Sequence, residues 1–165
     1  MRAKGGLMVF FKTLISSIIV AAVFGSTVAY SQNDMTQTTV GIMRGECIAL
    51  VIDDNVRKDC SGEVTLRLLA DHTIQLVFTA PNFAVSFSGD AEHLRPLKRN
   101  GAVFNIDLVA LGSEVDDLEE TRAIGGCSFG DLYSGEPASI RCSSSSRFGD
   151  VKGIFWSDGK PPARR

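Results

Sequence analysis

Histidine and tryptophan are scarce in this chain of 165 residues, which holds two of the first and one of the second. With only His72 and His93 able to titrate near neutrality, imidazole-based acid–base chemistry and histidine-rich metal sites have almost nothing to draw on. No Gly-x-Ser-x-Gly elbow is present to expose a strained nucleophile. No glycine-rich loop runs into a lysine and a helix, so a phosphate cradle is excluded as well. Asn33, Asn55, Asn82, Asn100 and Asn105 all lack Ser or Thr two residues on, leaving no N-glycosylation acceptor. Beyond Ser31 no apolar period of 3.6 is sustained over ten positions, which excludes a long amphipathic helix. Basic side chains are limited too: three of the 17 lie before Gln32 with none of the 19 acidic ones, and the remainder carries a net charge of −5. Such a surface repels phosphate backbones, and nucleic acid is excluded as a partner.

What is present begins with an export segment. Arg2, Lys4 and Lys12 form a positive n-region, Leu14 to Phe24 an apolar run, and Gly25-Ser26 a break. Small residues at Ala29 and Ser31 then predict cleavage after Ser31, making 1–31 a signal peptide. The competing reading is an uncleaved anchor, the chain's one route to a membrane, but Lys12 interrupts the roughly 18 apolar residues a spanning helix wants. Either way the rest of the chain is expected in a periplasmic or secreted setting, and the missing glycosylation acceptors favour the periplasm.

Residues 32–39 are polar without periodicity and read as a flexible leader, 40–157 as a single β domain, and the turn-rich 158–165 as a disordered tail. Within the domain, apolar residues recur at every second position. Val64, Leu66 and Leu68, then Ile74, Leu76 and Phe78, describe a hairpin turning at Asp71-His72. Phe83, Val85 and Phe87 follow a turn at Pro81-Asn82, and Phe104, Ile106 and Leu108 follow a connection, 89–101, with one helical turn near Ala91 to Leu94. The expected fold is all-β: a small antiparallel sandwich or barrel of about 7–9 strands.

Four cysteines allow three disulfide connectivities. Pairing Cys127 with Cys142 about a hairpin centred between Ser134 and Gly135 places both sulfurs with Phe129 and Ile140 on one face. Pairing Cys47 with Cys60 about Asp53-Asp54 places Cys47 with Ala49 and Val51, although 46–54 also admits a helical turn and 55–59 is polar for a strand. Two local disulfides are therefore expected. Each short closure is worth on the order of 3 kcal/mol in the chain-entropy model. Neither pair has the spacing of a zinc knuckle, so metal thiolate is not expected.

No residue is assigned a catalytic, cofactor-binding or metal-ligating role. His72 and His93 read as solvated turn and loop residues, and an even cysteine count leaves no spare thiolate. Asp53-Asp54, Asp116-Asp117 and Glu119-Glu120 read as solvated charges, since neighbours on a strand face opposite ways. The acidic segment 113–120 reads as a loop without the registered spacing of a calcium site. Tyr133, Glu136, Arg147, Phe148 and Trp156 are the candidate partner-binding residues, because aromatics and arginine beside loops make recognition anchors.

The expected function is a non-enzymatic envelope or secreted module that binds a protein, acting as an inhibitor or accessory factor. In size, export route and β-disulfide character the chain is similar to small periplasmic inhibitors of lysozyme-like enzymes, an analogy of fold alone. A small barrel carrying an apolar ligand is the first alternative, and a hydrolase of envelope polymers the second. The hydrolase would need His72 or His93 within reach of both a carboxylate and a hydroxyl.

Overall fold

A computed structural model of the chain describes residues 39–115 and 117–164; the export segment and the leader up to residue 38 lie outside the described residues. The alternating sequence folds into strands β1 (Thr39–Ile52), β2 (Asn55–Arg57), β3 (Glu63–Leu68), β4 (Thr73–Ala80), β5 (Phe83–Asp90) and β6 (Arg95–Pro96). It continues as β7 (Ala102–Glu114), β8 (Asp117–Phe129), β9 (Ser139–Ser146), β10 (Gly149–Ser157) and β11 (Ala163–Arg164). A single 3₁₀ turn at Ala91–His93 and a turn at Lys98–Asn100 with left-handed backbone at Arg99 and Asn100 interrupt the β5–β7 connection. The chain is thus all-β, and its sheet is a barrel. Strands hydrogen-bond in the order β10-β9-β8-β7-β5-β4-β3-β1, and β1 pairs antiparallel with β10 to close the circle.

Closure depends on the length of β1. Thr39–Arg44 pairs with β3, whereas Gly45–Ile52 pairs with β10, so one strand joins both ends of the meander. An eight-stranded barrel is only wide enough inside to be filled by side chains. Phe78, Phe87, Phe104 and Phe155 fill it together with Met43, Leu50, Leu76 and Ile106, all fully buried. Phe78 and Phe87 meet edge to face at 5.7 Å, an arrangement suited to aromatic quadrupoles. Across the lumen Phe78 rests on Gly153, where a Cβ would lie 2.8 Å from the ring.

Both disulfides form as expected, Cys47–Cys60 with Cα atoms 5.8 Å apart and Cys127–Cys142 with Cα atoms 4.0 Å apart. Cys127 lies directly opposite Cys142, and Phe129 opposite Ile140, on the inner face of the β8–β9 ladder. The β1–β2 hairpin turns through Asp53 and Asp54, both at positive φ, the conformation that two-residue hairpin loops require. Residues 46–54 are therefore strand and turn rather than helix. The facing of β1 differs from strict alternation. Between Cys47 and Ala49 the register against β10 slips by one residue, and this bulge at Ile48 brings Leu50 and Ile52 onto the face that Cys47 occupies.

Three segments expected as loops or tail are more regular. The serine run belongs to β9, with Cys142 and Ser144 buried between exposed Ser143 and Ser145. The acidic 113–120 segment is the tip of the β7–β8 hairpin, where Glu114 pairs with Asp117. The tail expected to fray lays Ala163 and Arg164 against Ile42 and Gly41.

Replacing Gly153 by Val puts methyl groups into the space of the Phe78 ring, and overpacking of this kind costs about 1–3 kcal/mol. The urea midpoint of Gly153→Val should fall by that free energy divided by the slope, the slope itself being unchanged; an unaltered midpoint would mean that the ring is not held against β10.

Candidate functional site

Strand direction sorts the connections between the two ends of the barrel. The β1–β2, β4–β5, β7–β8 and β9–β10 turns lie at one end. At the other lie the start of β1, the β3–β4 turn and the two longest links, 91–101 and 130–138. Irregular chain with exposed side chains is concentrated at this second end.

Trp156 is set there by β10. Inward Phe155 and Ser157 flank it, so its own side chain points outward, beside Glu46 of β1 and Ser139 of β9, and remains 42% exposed. It contributes to a groove of about 600 Å³ together with Lys98, Arg99, Asn100, Ser134, Glu136 and Pro137. The 130–138 wall is built by Asp131, whose Oδ1 accepts the Tyr133 N–H at 2.9 Å and whose Oδ2 accepts Asn100 Nδ2 at 3.2 Å. Ser134 Oγ donates to the Asp131 carbonyl at 3.0 Å and accepts the Glu136 N–H at 3.2 Å. The loop is then fastened to β10 at two points: Ala138 N donates to Ser157 Oγ, and Ser157 N donates to the Ala138 carbonyl, each at 2.9 Å. Tyr133, 68% exposed, projects from the same loop.

The opposite wall is a turn closed by Leu97 N donating to the Gly101 carbonyl at 2.7 Å. Arg99 (φ 59°, ψ 44°) and Asn100 (φ 56°) both take left-handed backbone. That conformation costs roughly 1–2 kcal/mol for an ordinary side chain. The Asn100–Asp131 bond ties this turn to the other wall.

The five candidate partner-binding residues do not form one site. Glu136 and Trp156 share the groove and Tyr133 adjoins it. Arg147 and Phe148 form the β9–β10 turn at the far end, where Arg147 binds the Glu119 carboxylate and lies 5.0 Å above the Phe148 ring. Lys98, Arg99 and Asn100 are additions from the fold, marked in the sequence only by the Asn100-Gly101 turn signal. Ile124 is another: it faces outward by the alternation that turns Ala123 and Cys127 inward, 86% exposed, beside Leu108 and Arg122.

The two histidines come together on the same end of the barrel. His93 Nδ1 lies 2.6 Å from Asp90 Oδ2 and His72 Nε2 lies 3.7 Å from Glu92 Oε1, while Ala91 N donates to the His72 carbonyl at 2.8 Å. A small groove beside them includes Asp71, Ser88 and Asp107. Each histidine has its carboxylate, but among the described residues neither is hydrogen-bonded to a hydroxyl. Ser88 Oγ instead accepts Gln75 Nε2 at 3.3 Å.

Asp90 caps the 3₁₀ turn, and its carboxyl is held below the usual range, first by the Glu92 backbone N–H and then by the His93 ring. A carboxyl with a lowered native pKa stabilises the fold above its unfolded-chain value and loses that contribution as pH falls through the native one. Asp90→Asn should therefore unfold at lower temperature than the parent at neutral pH, with the gap closing below about pH 4. Thermal unfolding across that range tests this, and a gap independent of pH would show that the charge is not what holds the turn.

Comparison of the chain with protein-family models, with curated proteins and with solved structures finds no match. Two intramolecular disulfides and, among the described residues, no free cysteine point to an oxidising, extracellular-type environment.

Proposed function

We propose that the protein is a periplasmic or secreted, non-enzymatic module that binds another protein through the Trp156 groove. The observation that carries this reading is the position of the chain's single tryptophan, half exposed on a strand end that cannot shift without opening the barrel. Tryptophan, tyrosine and arginine are the residues in which binding energy concentrates at protein interfaces; Trp156 and Arg99 line one groove, and exposed Tyr133 projects from the loop that forms one of its walls. A pre-formed rim also spares a partner the cost of ordering loops. The disulfides and the export segment support a location outside the cytoplasm.

The carrier reading has less support, because phenylalanine rings occupy the space an apolar ligand would need. The hydrolase reading has its histidine and carboxylate but lacks the nucleophile, since Ser88 is turned to Gln75.

Affinity capture from an extract of exported proteins tests the proposal, using the oxidised protein, Trp156→Ala and Arg147→Ala. The parent and Arg147→Ala should retain the same stoichiometric protein. Trp156→Ala should bind it about thirtyfold more weakly, the loss of roughly 2 kcal/mol that marks a hot-spot residue. Equal capture by Trp156→Ala would overturn the proposal.

A further inference from the structure

We propose that the outer face of β7, β8 and β9 is a self-association surface, on which a second copy of this chain docks about a twofold axis passing between Asp107 and Arg122. This contact is separate from the Trp156 groove and does not depend on it.

Ile124 marks the place. At 86% it is the most exposed large apolar side chain among the described residues. Its outward neighbours are small: Ser145 lies directly opposite on β9, and Gly126 with Ser143 forms the next outward rung. The isoleucine therefore stands proud of a nearly flat sheet. On the β7 side of it opens a groove of about 670 Å³ lined by Asp107, Leu108 and Arg122. Knob and recess thus lie side by side on one face. A twofold rotation sets the knob of each chain into the recess of the other, the self-complementarity that an isologous contact requires.

Charge selects the occupant. Each copy carries −5 outside its export segment, so two copies repel except where the local sum vanishes. Away from the acidic tip of the β7–β8 hairpin, the exposed charges on the outer face of β7 to β10 do cancel: Asp107, Glu120 and Asp150 against Arg122, Arg141 and Lys152. Asp107 and Arg122 line the same groove, yet among the described residues neither forms an ion pair. Glu120, two residues nearer the tip, lies on the far side of Arg122 from Ile124. Turned by 180°, Arg122 of one copy stands over Asp107 of the other, and the reverse, so that two ion pairs close around two Ile124 side chains. A partner of a single charge would meet one of these groups opposed, whereas a second copy meets both matched.

Sedimentation equilibrium of the oxidised protein should show a reversible monomer–dimer equilibrium below about 1 mM, weakened by salt as the ion pairs are screened. Ile124→Glu should raise the dissociation constant at least about a hundredfold, since each dimer loses two buried isoleucines. Arg122→Asp and Asp107→Arg should each be monomeric, because like charges then face each other across the axis. Mixed in equal amounts, these two variants should form a heterodimer, and Arg122→Asp/Asp107→Arg should dimerise like the parent. All four variants should keep the near-ultraviolet circular dichroism of the parent, because the three side chains lie outside the packed core.

A parent that stays monomeric at about 1 mM would overturn the proposal. So would a dimer that survives Ile124→Glu and both single charge reversals, since its contact would then run through another surface. Phosphatidylglycerol vesicles that bind a monomeric parent but not Ile124→Glu would make the face a lipid contact instead. If the parent dimerises but the two single reversals stay apart when mixed, the twofold placement of Asp107 and Arg122 is wrong.

Discussion

The pairing of β1 with β10 is the constraint on which everything else in the molecule depends. Eight strands left open would present two edges, each a row of unpaired backbone groups. Seven paired positions, from Gly45 opposite Ser157 to Ile52 opposite Val151, remove both edges at once. Closure also defines an inside, and the inside selects the residues. Phenylalanines on β4, β5, β7 and β10 converge on the axis, and Gly153 leaves the room that Phe78 takes up. The same pairing fixes Trp156, since the residue before Ser157 must face out when Ser157 faces in.

Both disulfides reinforce hairpins that the sheet already forms. Cys127–Cys142 links directly opposed residues of neighbouring strands, and Cys47–Cys60 ties the bulged part of β1 to the chain entering β3. Neither bridge spans the barrel. Their effect is to reduce the freedom of the unfolded chain, by on the order of 3 kcal/mol each in the entropy model. The barrel end that carries the groove then depends on Ser157, which holds the 130–138 loop with its hydroxyl and its amide while still completing the β10 ladder.

Much of the barrel is legible in the sequence because its strands bury one face and expose the other. The alternation at Val64–Leu68, Ile74–Phe78 and Phe83–Phe87 marks β3, β4 and β5, and the centres of both disulfide hairpins follow from symmetry about Asp53-Asp54 and Ser134-Gly135. What alternation cannot carry is a change of phase. The bulge at Ile48 inverts the facing of the rest of β1, and the irregularity between Ile106 and Leu108 brings Val109 rather than Leu108 onto the inner face of β7; no residue type announces either. Serines at 143–146 look like a loop by composition, yet Ser144 faces the interior and its neighbours the solvent.

The candidate site is half legible for a related reason. Residue type singles out Tyr133, Glu136 and Trp156, and strand direction brings them to one end; Arg147 and Phe148, closer to Trp156 in sequence, are carried to the other end by β10. Lys98, Arg99 and Asn100 sit in irregular chain, where charge carries no periodicity, and only the fold sets them opposite the aromatic wall. The histidines illustrate the same limit, since His72 and His93 are far apart in the chain and a single turn and one backbone hydrogen bond bring them together.

Nuclear Overhauser contacts between β1 and β10 in the oxidised protein test the closed barrel most directly. Leu50 should show backbone contacts to Gly153, and Val51 to Lys152, with slow amide exchange along both strands. Rapid exchange in both strands, with no contact between them, would mean an open sheet and would remove the basis for the position of Trp156.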